Sequence, residues 1–294
     1  MRTMLRGAQG FAHDGGYYMI GPAVPQAARR ELLTQGETIM SSAPYTIYAI
    51  EYARRETNST ELFYGDYHNT PIKMSYFVWA VNNGIHTIVV DLGFTEEVGT
   101  RRGRQFVRCP SHGLAALGID CASVEHVIVS HFHYDHVGNY ALFPQATFYV
   151  QDEEMRFYTG RYVCQGAFRH SVEVEDILAM VRYNYDGRLC FIDGEREILP
   201  GIAVYKVGGH TAGMQIVTVQ TAGGRAVLAS DASHYYHNIE KNVPFMVHHD
   251  LPGMYYGFQR IRELAEKPEL IIPGHDPLVL ERLKPVTEGI VSLE

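Results

Sequence analysis

Several features that would indicate a membrane-spanning, disulfide-rich or nucleic-acid-binding protein are missing from this sequence of 294 residues. No apolar run approaches the roughly 18 residues of a membrane-spanning helix, and the first residues lack the apolar segment of a secretory signal. The 4 cysteines are scattered and form no Cys-x-x-Cys pair, which favours a reduced, cytoplasmic setting. A formal net charge of −8 argues against an extended nucleic-acid surface.

What the sequence does contain is an apolar fraction of 46%, enough for the core of one large domain. One basic segment, Arg101 to Arg108, could bind a polyanion, but a solvated loop is the simpler interpretation. We therefore expect a small-molecule substrate, no nucleic-acid partner and no membrane, and the sequence leaves a homodimer open.

The most informative segment is SHFHYDHVGN, in which His131, His133, Asp135 and His136 form a His-x-His-x-Asp-His pattern. The apolar run from His126 to Val129 predicts a buried strand just before it. Three imidazoles and a carboxylate lie within six positions. The imidazoles would repel one another if they were protonated, and the cluster would gain little from being merely solvated. Binding of a transition metal such as zinc explains them better.

Three further residues of the same chemistry follow later strands. His210 comes after IAVYKVG, Asp231 ends RAVLASD, and His275 ends ELIIPGH. A sheet fixes the backbone at such strand ends while the loop projects side chains. Seven ligands are too many for one tetrahedral centre, so two metal ions that share one carboxylate are predicted, which is the layout of a two-metal hydrolase.

With these motifs in this order, the chain resembles the metallo-β-lactamase superfamily from about Tyr45 to about Val279. The resemblance implies an α/β fold: an αββα sandwich of two mixed β-sheets with helices on the outer faces. It also implies two divalent metal ions per chain, with Zn²⁺ the expected metal. By position it puts His131, His133 and His210 on one ion, Asp135, His136 and His275 on the other, and Asp231 between them. Asp91 in VVDLG matches an Asp-x-Gly element that supports the site.

Within the superfamily the chain is most similar to the N-acyl homoserine lactonase group. Asp231 is at the bridging position that β-lactamases usually lack, and the last ligand is in IIPGHDP. The implied activity is opening of the ester ring of a lactone, either an N-acyl homoserine lactone (quorum quenching) or a related catabolic lactone. In that reaction Asp135 would orient the nucleophile and pass its proton to the released alkoxide.

One departure from the lactonase pattern concerns substrate contact. The segment ASHYYHN has His234 where a lactonase commonly has a tyrosine that hydrogen-bonds the substrate. Either His234 or the adjacent Tyr235 could donate to the carbonyl oxygen. Phe63, Tyr64 and Tyr67 are candidates for the walls of an acyl-chain pocket, and they fit ordinary core positions equally well.

The principal alternative is a thioester hydrolase of the glyoxalase II type, which uses the same seven ligands. Such enzymes normally carry an added C-terminal helical region, and this chain ends about 20 residues after His275. A metallo-nuclease would need a basic channel, and a redox diiron protein usually replaces a quartet histidine that is intact here as His133. The sequence leaves open which lactone is the substrate and whether Zn, Mn, Fe or Co is bound.

The chain is predicted to have two parts. Residues 1–43 form an N-terminal extension (a lid, a dimer arm or a disordered segment) with a candidate helix at Gln26–Gln35, and residues 44–294 form the hydrolase domain. Strands are predicted at YTIYAIEY, at YFVWAVN and HTIVVD joined by a turn, and at QIVTVQ paired with RAVLASD. Helices are predicted near Gly113–Leu117, Asp152–Tyr158, Val174–Tyr183 and Met254–Glu266.

Overall fold

The computed structural model describes residues 43–294. Residues 1–42 of the predicted extension, with the candidate helix Gln26–Gln35, lie outside the described residues, so that part of the domain prediction stays a prediction. None of the helices in residues 43–294 is long and apolar enough to cross a membrane.

The described chain contains fourteen strands. They are β1 (Thr46–Asn58), β2 (Pro71–Asn82), β3 (Thr87–Val90), β4 (Gln105–Phe106), β5 (His126–Ile128), β6 (Thr147–Gln151), β7 (Leu189–Ile192), β8 (Glu195–Leu199), β9 (Ile202–Lys206), β10 (Gln215–Thr221), β11 (Gly224–Ser230), β12 (Ile271–Pro273), β13 (Lys284–Thr287) and β14 (Ile290–Leu293).

The same residues form ten α-helices, several of a single turn. They are α1 (Ser59–Leu62), α2 (Glu96–Arg101), α3 (Pro110–Ala116), α4 (Tyr134–Val137), α5 (Asp152–Tyr158), α6 (Gly166–Arg169), α7 (Val174–Tyr185), α8 (Tyr236–Lys241), α9 (Leu251–Leu264) and α10 (Leu278–Arg282).

The strands form two mixed sheets. The larger has the order β13-β14-β1-β2-β3-β5-β6-β7, with β4 also paired to β1, and the smaller has the order β12-β11-β10-β9-β8. Pairing is antiparallel from β13 to β3 and parallel from β3 to β7. In the smaller sheet only β11 and β12 are parallel. The two predicted strand pairs, β2 with β3 and β10 with β11, are confirmed.

Alternating side chains place each sheet between two apolar layers. In β2, Val78 packs into a cluster shared with the helices α3 and α7, whereas its neighbour Trp79 packs between the sheets with Val217 of β10. On the far side of the smaller sheet, Val227 packs against Phe258 of α9. Because successive side chains of a strand point to opposite faces, this alternation yields the layers helix, sheet, sheet, helix. The predicted αββα fold is confirmed.

Local differences from the sequence predictions have simple causes. Helix α9 begins at Leu251 rather than Met254, because the Asp250 side chain accepts a hydrogen bond from the Gly253 amide and Pro252 lies in the first turn. Strands β13 and β14 were not predicted. The residues of β13 are all exposed and include Pro285, which suits an edge strand but gives no apolar alternation to recognise.

Candidate metal centre

The seven predicted ligands come together from four segments of the chain. His131 and His133 lie between β5 and α4, and Asp135 and His136 lie within α4. His210 follows β9, Asp231 directly follows β11, and His275 follows β12. All seven side chains are buried, and their ligand atoms fall into two groups of four that share Asp231.

The first group consists of His131, His133 and His210 with Asp231. His210 Nε2 lies 2.9 Å from His133 Nδ1 and 3.4 Å from Asp231 Oδ2. His131 Nε2 lies 3.8 Å from the same oxygen. Three imidazoles therefore surround one carboxylate oxygen.

The second group consists of Asp135, His136 and His275 with Asp231. The Nε2 atoms of His136 and His275 lie 3.3 and 2.9 Å from Asp231 Oδ1. They also lie 3.6 and 3.7 Å from Asp135 Oδ2. Asp231 thus turns one oxygen to each group, which is the arrangement of a bridging carboxylate.

The outer nitrogens of four of these histidines are held by other groups. Nδ1 of His131 lies 2.9 Å from the Ser130 hydroxyl, and Nδ1 of His136 lies 2.8 Å from Asp91 Oδ2. Nδ1 of His210 and of His275 lie 2.7 and 2.8 Å from the carbonyl oxygens of Val247 and Ser75. Such contacts fix the ring orientation and aim each Nε2 inward.

Within residues 43–294, several of the inward-facing nitrogens have no hydrogen-bond partner. Nε2 of His131, His136 and His275 is buried in each case and makes no hydrogen bond within the described residues. Buried polar atoms normally have partners, since each unpaired one costs about 1–3 kcal/mol. A cation between these nitrogens and the carboxylates would supply the missing interaction, so the donor set fits a divalent metal in each group.

The electrostatics of the first group also suit metal binding. Burial lowers the pKa of His210 to about 3 and holds the pKa of His131 and His133 well below the ordinary value. These rings are therefore neutral and offer lone pairs. Burial opposes ionisation of Asp231, but His275, His136 and His234 hold its pKa well below the ordinary value, so it is a carboxylate.

Asp91 joins three segments beneath the site. Its carboxylate accepts from the amide and hydroxyl of Ser130 and from the hydroxyl of Ser230, in addition to its contact with His136. Asp91 and Ser230 have φ of 61° and 44°, a region that residues other than glycine rarely adopt. Strained backbone of this kind clusters at functional sites.

His234 and Tyr235, the two candidates for substrate contact, lie in different surroundings. His234 Nε2 is 3.0 Å from Asp231 Oδ2, and its ring stacks on Phe245 with the centroids 3.5 Å apart. The Tyr235 hydroxyl instead donates to the Lys73 carbonyl oxygen at 2.8 Å. The structure therefore brings His234 to the candidate ligands and engages the Tyr235 hydroxyl elsewhere.

The predicted acyl-chain walls Phe63, Tyr64 and Tyr67 do not line the cavity that reaches the first group. Tyr67 is 91% exposed, and Phe63 packs edge-on against His237. A cavity of about 390 Å³ instead reaches His133 and His210 of the first group. Its apolar walls include Phe157, Tyr158, Phe168, Met246 and Val247.

The basic segment at 101–108 is engaged within the chain. Arg101 and Arg102 both pair with Glu173, at 2.7 and 2.8 Å. Arg104 donates to the Tyr134 hydroxyl, and the Arg102 guanidinium lies 4.0 Å from the centre of the Tyr134 ring. These arginines therefore link the segment around Glu173 to Tyr134, which lies among the ligands of residues 131–136.

One buried carboxylate near the site was missed by the sequence reasoning. Glu154 on α5 accepts hydrogen bonds from the Phe132 amide, the Thr211 hydroxyl and the Gly213 amide. Its local sequence, QDEEMRF, has the acidic residues typical of any helix start. No local signal in the sequence distinguishes Glu154 from its neighbours.

Comparison with known proteins establishes the class. The family model described as Metallo-beta-lactamase superfamily matches residues 72–275, which include all seven candidate ligands. The chain therefore belongs to the metallo-β-lactamase superfamily, and the resemblance recognised from the sequence is confirmed.

Individual similar proteins lie within one group of the superfamily, the N-acyl homoserine lactonases. The chain is 30% identical over 166 residues to an N-acyl homoserine lactonase of Bacillus sp., which covers 55% of this chain and 60% of that protein. It therefore spans less than two thirds of that relative's length. A solved quorum-quenching N-acyl homoserine lactone hydrolase is similar with a TM-score of 0.70 at 22% identity, covering 83% of this chain and 98% of that one.

A second solved relative is the dizinc quorum-quenching lactonase AidC in complex with the product N-hexanoyl-L-homoserine. It has a TM-score of 0.63 at 15% identity and covers 79% of this chain and 88% of that one. At these identities the two solved structures support the fold.

Proposed function

We propose that this protein is a metal-dependent hydrolase that opens the ester ring of a lactone, with N-acyl homoserine lactones as the substrate class. The observation that carries the proposal is the convergence of seven buried ligand-type side chains in two groups that share Asp231. The similarity to a curated N-acyl homoserine lactonase supports the lactone as substrate. The glyoxalase II type of thioester hydrolysis, which needs the same groups, is an outcome of the test below.

The proposed cofactor is two divalent metal ions per chain. His131, His133 and His210 would hold one ion, Asp135, His136 and His275 the other, and Asp231 both. Imidazole and carboxylate ligands accept zinc, manganese, iron and cobalt. We propose Zn²⁺, in line with the solved relative described as a dizinc lactonase. When bound, the ions would polarise the ester carbonyl and make a nucleophile available near neutral pH.

The chain's own groups would then handle protons and orientation. Asp135 Oδ2 faces the inner nitrogens of His136 and His275, so its carboxylate lies within the second group. We assign it to accept the proton of the attacking water and to return that proton to the alcohol oxygen released when the ring opens.

His234 is assigned to orient Asp231. An imidazole nitrogen 3.0 Å from a carboxylate oxygen donates its proton there, which leaves Nδ1 without a proton in the neutral ring. Burial lowers the pKa of His234 to about 4, so the ring is neutral. Such a ring has no remaining donor for a substrate oxyanion. We therefore replace the expected oxyanion role of His234 with a positioning role and leave Tyr235 out of the site.

The acyl chain of the substrate is assigned to the cavity beside the first group. Phe157, Phe168, Met246 and Val247 give it apolar walls, and His133 and His210 form the end nearest the proposed ions. Binding pockets of this kind combine apolar walls with a few convergent polar groups. The cytoplasmic location and a homodimer stay predictions.

The test is a substrate panel read by proton release. We expect ring opening of N-acyl homoserine lactones and little turnover of a β-lactam or a glutathione thioester. A Phe168→Ala variant should change the preference among acyl-chain lengths, whereas Tyr67→Ala, an exposed aromatic outside the cavity, should not. Preferred hydrolysis of the glutathione thioester would replace the proposal with the glyoxalase II type.

A further inference from the structure

Glu154 lies outside both groups of candidate ligands but touches the segments that carry one of them. It is 1% exposed and accepts three hydrogen bonds. Oε1 accepts from the Phe132 amide at 2.8 Å, and Oε2 accepts from the Thr211 hydroxyl at 2.8 Å and the Gly213 amide at 2.7 Å. One carboxylate thus joins segments that are about eighty residues apart in the chain.

These two segments carry the three histidines of the first group, and the earlier one continues into Asp135 and His136 of the second. Phe132 lies between His131 and His133, and Thr211 directly follows His210. The second group has other supports: Asp91 contacts His136, and the Ser75 carbonyl contacts His275. Glu154 therefore joins the two segments from which the three histidines of the first group come.

The fit around Glu154 is close enough to restrict the sequence at a second position. A Cβ atom added to Gly213 would lie 2.3 Å from the Glu154 amide nitrogen and 2.6 Å from its Cβ. Contacts that short do not occur, so a side chain at residue 213 would push the segment after His210 away from α5. Only glycine allows the Gly213 amide to reach the carboxylate.

We propose that Glu154 is a positioning residue that holds the segments of His131, His133 and His210 at the spacing that the first metal ion requires. The proposal rests on the two metal groups proposed above and is independent of the substrate. It predicts that loss of the Glu154 carboxylate weakens the binding of one metal ion and leaves the binding of the other unchanged. Loss of a group that orients metal ligands typically lowers metal affinity by about 10–100-fold.

The direct test is Glu154→Gln, which keeps the side-chain size. The side-chain NH₂ of a glutamine cannot accept a hydrogen bond. In one orientation it would face the backbone N–H of Phe132, and in the other it would face the backbone N–H of Gly213, so one of these two donors always loses its acceptor. The matched control is Glu153→Gln on the same helix turn, where the carboxylate pairs with Arg156 and touches neither segment. Zinc titration of the metal-free proteins should show that Glu154→Gln lowers the affinity for one of the two zinc ions by about 10–100-fold. In Glu153→Gln the affinity for both ions should be unchanged.

A double variant identifies which ion is affected. Asp135→Asn removes a ligand of the second group only. If Glu154 acts on the first group, Glu154→Gln with Asp135→Asn should bind both ions weakly, because the two losses are independent. If the double variant binds zinc as Asp135→Asn alone does, the proposal is wrong.

A readout without metal separates positioning from general loss of stability. In the metal-free protein, hydrogen exchange at the amides of Phe132 and Gly213 should be faster in Glu154→Gln than in wild type, with exchange in the strands of both sheets unchanged. If Glu154→Gln fails to fold, Thr211→Val can replace it, because it removes only one of the three donors to Glu154. It should lower the affinity for the same ion by a smaller factor. Wild-type affinity for both ions in these variants, or equal loss of both, would overturn the proposal.

Discussion

The two groups of candidate ligands share Asp231 but are assembled in different ways. The first takes three imidazoles from two segments, and the contacts to the outer nitrogens of His131 and His210 are with uncharged oxygens. The second includes the carboxylate of Asp135, and a further carboxylate, Asp91, contacts the outer nitrogen of His136. The second group therefore relies on negative charge, whereas the first relies on the accurate placement of neutral rings.

This difference explains where the supporting residues lie. A neutral ring attracts a cation only at short range and in one direction, so the first group needs its segments fixed, as Glu154 fixes them. Carboxylates attract a cation from any side, so the second group depends less on the exact direction of each ligand. The following predictions test this contrast, in order of decreasing effect.

The largest effect is expected from Asp231→Asn, because Asp231 belongs to both groups. Asparagine keeps the size but removes the negative charge that two cations would share. We expect turnover of the best lactone to fall by orders of magnitude and zinc content to fall in parallel. Circular dichroism should show that the fold is retained. Near-normal turnover with two bound ions would mean that the bridge is another residue.

Chelation should separate the two groups. Because Asp135 and Asp91 add negative charge around the second group, its ion should be held more tightly than that of the first. Dialysis against increasing chelator should release the ions in two steps, with activity lost in the first. Release of both ions in a single step would show that the two groups bind their ions equally well.

A smaller effect is expected from Asp91→Asn, which removes the outer charge of the second group. Nδ1 of His136 would then face an amide rather than a carboxylate, and affinity for the more tightly held ion should fall by about 10–100-fold. The control is Asp193→Asn, an exposed aspartate that pairs with Lys206. If the more weakly held ion is the one lost, Asp91 acts mainly through Ser130 and His131.

The sequence predicted the ligands and several strands because their signals are local, and the αββα fold was implied by the family resemblance that the ligand motifs carry. The quartet is concentrated in six residues, and strands such as β2 and β11 contain the short apolar runs YFVWAV and AVLA. The supports could not be predicted in the same way. Glu154 and Glu153 are adjacent acidic residues of one helix turn, and only the packing of α5 against Gly213 buries the former. The direction of a side chain within a turn depends on tertiary contacts that a local pattern does not contain.

The smallest effect tests how the ring of His234 serves the first group. Because its Nε2 faces Asp231 Oδ2, the oxygen directed to the first group, His234→Ala should weaken the first ion by about tenfold and lower turnover in proportion. Tyr235→Phe is the matched control: its hydroxyl donates to the Lys73 carbonyl, so zinc affinity and turnover should stay within a few-fold of wild type.

The relation between turnover and bound zinc distinguishes the two roles of His234. A donor to the oxyanion would lower the rate by about 10²–10³ while both ions stayed bound. A ring that orients Asp231 would lose rate only as it loses zinc, and saturating zinc would restore most of the turnover. His234→Ala with two ions and a large loss of rate would therefore return the residue to the substrate-contact role. If His234→Ala is as active as Tyr235→Phe at limiting zinc, the first group does not depend on this ring.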